Sequence, residues 1–267
     1  MSLADLLKLA VSAELGLAAT MTAAWAVQRR TGNSGWIDAF WTVGVGACAA
    51  ILSLAGGAGP APPWRQTLVA ILVALWSLRL ASHIVARTRR ASDDPRYRQL
   101  MKDWGDKAPL RLWQFLQAQA AVGAVLVVAV ALAARCPSPN VRAQDVLGFA
   151  LLAGALWGEA VADRQLARFK QDPANRGGLC DQGLWSRSRH PNYFFEWLVW
   201  LAYPIIAVDL TGGDLTGWLA LLAPLIMFWT LRYASGVPPL EEHMLRTRPE
   251  AFARYSAKTP VFFPRLF

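Results

Sequence analysis

Apolar segments long enough to cross a lipid bilayer recur along this chain, and this recurrence constrains the fold more than any other feature. A transmembrane helix needs about 20 mainly apolar residues. The segments are rich in Ala and Leu, and they lack the alternation of apolar and polar residues that marks the strands of an outer-membrane barrel. Seven segments qualify: 3–28, 36–56, 65–86, 113–133, 144–163, 191–210 and 215–235. The sequence therefore predicts an all-α, polytopic integral membrane protein with about seven transmembrane helices, in one membrane domain over 1–267.

The distribution of basic residues predicts the orientation of these helices. The chain is 55% hydrophobic and carries a net charge of +9. With the N-terminus outside, the basic residues gather on the inner side, in 87–111, in 164–189 and from Arg232 to the end. The outer side then receives Lys8, Arg65, Arg135 and Arg142. The positive-inside rule therefore predicts an outside N-terminus and a cytoplasmic C-terminus. The basic excess follows from topology, and no nucleic-acid partner is expected.

Two long inner segments combine charge with aromatic residues. Residues 87–112 carry both signs of charge with Tyr97 and Trp104, so we expect a structured loop against the membrane face. The tail, 236–267, alternates proline, charge and aromatic residues, and we expect it to fold back over the helix ends. The segment "GALWG" at 154–158 has the spacing of small residues that lets helices approach closely. No metal site is predicted, because the cysteines are scattered, without CxxC spacing or nearby histidine ligands.

Ionisable and amide side chains near the inner ends of five predicted helices form the most informative pattern. Such groups are costly inside a bilayer and usually face a cavity. They are Asp38 on the second helix, Arg79 and His83 on the third, Glu159 and Asp163 on the fifth, Asn192 and Glu196 on the sixth, and Arg232 on the seventh. We therefore expect a water-accessible cavity that opens to the cytoplasm.

The spacing of these residues points to an anionic ligand. Residues four apart lie on one helix face, so Glu159 with Asp163, and Asn192 with Glu196, form two polar stripes. Pro191 suits the first turn of a helix. Arg189 and His190 then lie beside a helix N-terminus, which attracts anions. Further phosphate contacts are available from Arg168, Lys170, Arg176, Arg187, Arg232 and Arg254, although each also serves the topology. No Rossmann or P-loop motif is present, so a nucleotide would bind in a pocket between membrane helices.

Segments spread over most of the chain resemble the steroid 5-alpha-reductase family, in particular its bacterial branch. They are "SGWIDAFW" around 35–41, "WSLRLASHIVAR" at 76–87, "DDPRYRQLMKDWG" at 93–105, "GLWSRSRHPNYFFEW" at 183–197 and the tail from "GVPPLEEHML" to "VFFP" at 236–264. The resemblance implies seven helices in the bacterial inner membrane, with NADPH in a cytoplasm-facing cavity. It places Asp163, Lys170, Asn192, Glu196 and Arg232 at cofactor-holding positions, and Glu159 where the animal enzymes have Asn.

The reaction implied by the resemblance is hydride transfer from NADPH to the C=C bond of an enone lipid, such as a 3-oxo-Δ4-steroid. The family places a Gln-Glu pair on the second helix and a Tyr on the third, where this chain has Asp38 and Trp76. We expect Asp38 to be the acidic partner and Arg79 its electrostatic neighbour. The carbonyl then receives a hydrogen bond from Tyr193, Tyr233 or His83. Each also has a structural alternative: Asp38 as a helix cap, Arg79 as the buried partner of Asp38, and His83 as an interface residue.

Two other functions stay open. "RHPNY" and "EEHML" at 241–245 resemble the elements with which isoprenylcysteine and phospholipid methyltransferases bind S-adenosylmethionine. Glu196 favours the reductase, because those methyltransferases have a small residue soon after the tyrosine. A non-enzymatic lipid-binding membrane protein is the third possibility, but it leaves the convergent polar groups unexplained. Under the first two interpretations the partners are a small-molecule lipid or steroid and the membrane lipids.

Overall fold

A computed structural model describes residues 1–55, 61–89 and 93–265. Within these residues the chain is all helical. The α-helices are α1 Leu3–Thr31, α2 Gly35–Leu54, α3 Pro63–Thr88, α4 Pro95–Trp104, α5 Ala108–Ala134, α6 Ala143–Gln171, α7 Pro191–Ala207, α8 Leu222–Trp229, α9 Val237–Thr247 and α10 Pro249–Lys258. Short 3-10 helices cover Gly105–Lys107, Pro173–Asn175, Gly183–Ser186 and Leu215–Leu221, and Thr230–Ala234 is a π-helix.

The predicted class, an all-α polytopic membrane protein, is confirmed. In the described part of the chain, six helical stretches are long and apolar enough to cross a membrane. They are Leu3–Thr31, Gly35–Leu54, Pro63–Thr88, Arg96–Ala134, Ala143–Gln171 and Leu215–Thr247. The predicted segment 191–210, the sixth, corresponds to α7, whose 17 residues lie at the short end of the length that spans a bilayer.

Two predicted helix boundaries are wrong for physical reasons. The segment 191–210 stops being helical after Ala207, where Pro204 has removed a backbone donor and Asp209 accepts a hydrogen bond from the amide of Thr211. The segment 215–235 is not one α-helix, because it changes from 3-10 to α and then to π geometry. The predicted segment 36–56 ends at Leu54, and its last residue lies outside the described residues.

The chain forms two compact units, each drawn from two stretches of sequence. Unit 1 comprises Met1–Asp145 and Tyr203–Ala223, and unit 2 comprises Val146–Ala202 and Pro224–Phe267. The single domain expected over 1–267 stays a prediction.

In unit 1, α2 packs against α1, α3 and α5. A Cβ added to Gly46 would collide with the side chain of Ser77, so glycine is what lets α2 and α3 approach at this point. Ser77 uses the approach to donate a hydrogen bond to the carbonyl of Thr42 at 3.0 Å. At this point α2 and α3 are therefore held by close backbone packing.

A buried ion pair ties the non-helical segment between α5 and α6 to the start of α3. Arg65 is fully buried, and its guanidinium binds the carboxylate of Asp145 at 2.8 and 3.2 Å. The same guanidinium donates to the backbone carbonyls of Cys136, Ser138 and Asn140 at 2.9, 2.6 and 3.2 Å. The charge of Arg65, which was counted on the outer side in predicting the orientation, is thus buried in the protein and paired with a carboxylate.

Unit 2 is closed by its C-terminal tail, which folds back as expected. The amide of Arg189 donates to the carbonyl of Pro260 at 2.8 Å, and the amide of Arg265 donates to the carbonyl of Arg187 at 3.0 Å. The hydroxyl of Tyr255 donates to the carbonyl of Trp185 at 2.6 Å. Burial raises the pKa of Tyr255, so its phenol stays a neutral donor. The tail and the segment before α7 are therefore one packed body.

We predict that Asp145→Asn lowers the free energy of unfolding by about 3 kcal/mol, because it leaves the buried guanidinium of Arg65 without its carboxylate. Thermal or denaturant unfolding in detergent, followed by circular dichroism, measures the change. Asp181→Asn is the control, since Asp181 is exposed and its loss should change stability by less than about 0.5 kcal/mol. Equal effects of the two substitutions would contradict the role given to the pair.

Candidate functional site

Asp38 lies at the centre of a charged network in unit 1. Its carboxylate contacts the guanidinium of Arg96 at 2.5 Å and that of Arg87 at 3.5 Å. The hydroxyl of Tyr97 donates to the other carboxylate oxygen at 3.1 Å, and the amide of Gln119 donates to that hydroxyl at 3.2 Å. Asp38 therefore connects the first turn of α2 to α4 and, through Tyr97, to α5.

The two acidic residues before α4 complete this network. Asp94 caps α4 by accepting from the amide of Arg96 at 2.9 Å, and it also pairs with the guanidinium of Arg96 at 2.9 Å. Burial would raise the pKa of Asp94, but the hydrogen bonds and charge of Arg96 outweigh it and lower that pKa. Asp93 accepts from the amide of Ser34 at 2.9 Å. The inner segment is thus structured from Asp93 onward, as predicted, while 90–92 lie outside the described residues.

The other predicted catalytic residues of unit 1 lie on α3. Arg79 is half-buried, and His83 is exposed one turn further along the helix. The carboxylate of Asp38 pairs with Arg87 and Arg96, and it accepts a hydrogen bond from Tyr97. Tyr97 was predicted to lie in the loop and was given no functional role. The only feature of the sequence that could have indicated one is its position beside Arg96 in "DDPRYRQL".

Arg189 and His190 precede α7 as predicted, but a carboxylate of the tail engages both. The guanidinium of Arg189 binds Glu241 at 2.7 and 3.1 Å, and it donates to the carbonyls of Ser256 and Thr259 at 3.3 and 3.0 Å. Nε2 of His190 lies 3.0 Å from the same carboxylate. The charged group beside the α7 N-terminus is therefore an internal ion cluster, and the anion expected there has a protein carboxylate in its place.

The ring of Tyr193 stacks on that of His190, with 5.5 Å between centroids. This contact puts a predicted carbonyl donor next to the ion cluster. Tyr233, the other tyrosine considered, is more than half exposed on the π-helix.

Glu159 on α6 and Glu196 on α7 are buried carboxylates, 4% and 6% exposed. The helices approach closely beside them, since a Cβ added to Gly158 would collide with the ring of Phe195. The expected helix packing at 154–158 is therefore found at Gly158. The indole N–H of Trp200 donates to Glu196 at 2.9 Å. Each of the two residues at this helix contact, Gly158 and Phe195, is thus followed by a buried carboxylate within unit 2.

The polar stripes predicted from four-residue spacing lie on continuous helices. Asp163 follows Glu159 on α6, and Asn192 precedes Glu196 on α7. The side chains of Asp163 and Asn192 are half-buried. The short 3-10 helix Gly183–Ser186 is held against α6 next to Asp163, because the indole N–H of Trp185 donates to the carbonyl of Ala162 at 2.9 Å.

The predicted phosphate-binding cations fall into two groups. Arg189 is held by Glu241, and the exposed Arg187 donates to the carbonyl of Arg265 at 3.1 Å. Arg168, Lys170 and Arg232 instead form no salt bridge with any carboxylate in the described parts of the chain. The first two are exposed in the last turn of α6, and Arg232 lies over the ring of Tyr233 at 4.8 Å.

Together these groups offer two kinds of chemistry. Buried carboxylates accept hydrogen bonds from hydroxyl and amide groups, and uncompensated cations bind phosphate. Unit 2 contains both kinds, with Glu159 and Glu196 of the first and Arg168, Lys170 and Arg232 of the second. The common cavity expected for them stays a prediction.

Comparison with curated proteins and with solved structures found no match for this chain. One protein family, described as "Protein of unknown function (DUF1295)", matches residues 24–259. The match covers most of the chain, including the Asp38 network, the buried carboxylates and the ion cluster at Glu241. The protein therefore belongs to the DUF1295 family.

Proposed function

We propose that this protein is an NADPH-dependent reductase of the bacterial inner membrane that reduces the C=C bond of an enone lipid. The observation that carries the proposal is the pair of buried carboxylates, Glu159 and Glu196, each directly following one of the two residues, Gly158 and Phe195, at which α6 and α7 touch. A buried carboxylate in a membrane helix is costly and indicates a functional site. The resemblance of the surrounding segments to the steroid 5-alpha-reductases supplies the reaction class.

The residues of unit 2 fit a phosphate-bearing dinucleotide. Glu159 and Glu196 would accept from the ribose hydroxyls and the carboxamide, and half-buried Asn192 and Asp163 extend the same two stripes. Arg168, Lys170 and Arg232 are available for the phosphates, because no carboxylate in the described residues compensates them. Arg189 and His190 would instead hold the tail in place through Glu241.

The bound dinucleotide would supply a hydride to the β carbon of the enone, being oxidised as the C=C bond is reduced. The π electrons of that bond move toward the carbonyl, where an enolate oxygen develops. The protein must then place a hydrogen-bond donor at this oxygen and deliver a proton to the α carbon. The overall change adds one hydride and one proton to the substrate.

From the resemblance we propose that Asp38 assists the reaction at the substrate carbonyl. The contacts of Asp38 suggest how it would act. A carboxylate paired with Arg96 and Arg87 is an acceptor and has no proton to donate. Tyr97, whose hydroxyl hydrogen-bonds to Asp38, carries a proton that the pair can direct. We therefore propose that Asp38 acts through Tyr97, a more specific role than the one assigned from sequence.

A methyltransferase is the second candidate, and one observation favours it. The ion cluster of Arg189, His190 and Glu241 joins the "RHPNY" and "EEHML" elements that resemble the S-adenosylmethionine site of membrane methyltransferases. S-adenosylmethionine carries no phosphate, however, so this function leaves the uncompensated cations of α6 unexplained.

We predict that NADPH, and not S-adenosylmethionine, raises the melting temperature of the purified protein. A ligand present at 100 times its Kd stabilises the folded state by about 2.7 kcal/mol. The measurement is a thermal shift in detergent with each ligand in turn, followed by NADPH oxidation in the presence of a 3-oxo-Δ4-steroid or a polyprenoid enone. Stabilisation by S-adenosylmethionine alone would contradict the reductase and support the methyltransferase function.

Glu196→Gln should weaken NADPH binding about tenfold or more, because hydrogen bonds to a charged group are the strong ones. The substitution keeps the size of the side chain and an oxygen for the indole of Trp200. Isothermal calorimetry or ligand-induced thermal shift gives the Kd. Glu242→Gln, at an exposed carboxylate of α9, is the matched control and should bind NADPH normally. An unchanged Kd for the Glu196 variant would refute the cofactor assignment.

Asp38→Asn should lower kcat by about 100-fold, within the range of general acid-base effects, while leaving the Kd for NADPH unchanged. Asp94→Asn is the control, because Asp94 pairs with the same arginines but does not contact Tyr97. If both variants lose activity equally and melt earlier by the same amount, the network is structural. If Asp38→Asn abolishes NADPH binding, the assignment of Asp38 to the acceptor side is wrong.

A further inference from the structure

A cavity of about 250 Å³ lies in unit 1, at the C-terminal end of α1. Its lining comes from α1, the segment after it, α4 and the first turns of α5. The lining residues are Gln28, Arg29, Gly32, Met101, Ala108, Pro109 and Leu112. None of these residues belongs to the Asp38 network or to the groups proposed to bind NADPH.

The polar wall of the cavity is incompletely satisfied. Gln28 is 6% exposed, and its side-chain amide donates to the sulfur of Met101 at 3.5 Å. A thioether is a weak acceptor, so this contact returns little of the free energy lost when an amide is buried. An oxygen acceptor placed in the cavity would form a stronger hydrogen bond with the same N–H group.

The cavity also carries an uncompensated positive charge. Arg29 is an exposed lining residue, and it forms no ion pair with any carboxylate of the described chain. Lys107 directly precedes the lining residue Ala108, with Asp106 as its acidic neighbour. Arg30 follows Arg29 in the last turn of α1 but does not line the cavity. The charge balance at the opening is therefore positive.

The position along the helices puts this cavity near the membrane surface. The apolar stretch Leu3–Thr31 ends beside it, and the first turn of α5 forms another wall. Trp25 donates its indole N–H to the carbonyl of Pro109 at 2.9 Å, and Trp113 donates to the hydroxyl of Thr22 at 3.3 Å. Tryptophans with a satisfied N–H and an apolar ring are typical of the membrane–water interface.

We propose that this cavity binds the phosphate-bearing headgroup of an anionic phospholipid. The phosphate would accept from the amide of Gln28 and pair with Arg29, while the glycerol end meets Pro109 and Leu112. A volume of about 250 Å³ suits such a headgroup, whereas ligand pockets for larger molecules occupy about 300–1,000 Å³. The site shares no residue with the groups proposed to bind the dinucleotide, and its test does not depend on the reductase activity.

The test uses the full chain in a neutral detergent and measures binding by native mass spectrometry and thermal shift. The probes are phosphatidylglycerol, phosphatidylcholine with the same acyl chains, and inorganic phosphate. We expect phosphatidylglycerol to bind and stabilise most, because it adds a net negative charge to the shared phosphate. Equal stabilisation by inorganic phosphate would overturn the lipid assignment, and equal binding of the two lipids would overturn the role of charge.

Two neighbouring arginines provide the decisive comparison. Arg29→Gln should weaken phosphatidylglycerol binding about fivefold, the effect of one basic residue on anionic lipid attraction. Arg30→Gln removes the same charge from the same helix turn but not from the cavity, so its effect should stay under about twofold. Equal losses would mean general surface attraction and would overturn the site. Gln28→Leu should weaken both lipids, and an unchanged affinity for both would refute the contact with phosphate.

Discussion

Helices satisfy most of their own backbone groups, but buried carbonyls in the segments between helices need donors from the rest of the protein, since an unpaired buried carbonyl is costly. One buried arginine meets this need in each unit. Arg65 binds Asp145 and three backbone carbonyls of the segment between α5 and α6. Arg189 binds Glu241 and two carbonyls of the tail. A guanidinium suits this work because its five N–H groups can meet a carboxylate and several carbonyls together.

This use of arginine changes the interpretation of the charged residues. The sequence pattern predicts an anion beside α7, yet Arg189 and His190 already face the carboxylate of Glu241. A ligand phosphate at that position would have to displace a charge-assisted hydrogen bond of the protein. The cations of the last turn of α6, and Arg232 in the π-helix, meet no such competition in the described residues. A π-helix is frequent at functional sites, which is consistent with a ligand role for Arg232.

The helices could be predicted because composition and length alone determine which segments cross a membrane. The end of α7 and the break in the last stretch could not, because Pro204 and the Thr230–Ala234 π-turn act through local hydrogen bonds that hydropathy does not contain. Contacts between residues far apart in the chain could not be predicted either. The sequence shows Arg65 only as a charge on the predicted outer side, and Tyr97 only as a loop aromatic; their partners, Asp145 and Asp38, are found in the fold.

The contacts of each charged residue therefore locate the candidate site better than the occurrence of that residue in the sequence does. Asp145 and Glu241 have arginines that account for their burial structurally. Glu159 and Glu196 lie beside a contact so close that Gly158 admits no side chain, where an apolar pair would pack at no electrostatic cost. A carboxylate buried in a membrane helix is costly even when the protein hydrogen-bonds it, and a bound ligand with hydroxyl and amide donors would lower that cost. The burial of Asp145 and Glu241 thus has a structural reason, and for Glu159 and Glu196 we propose a functional reason in addition.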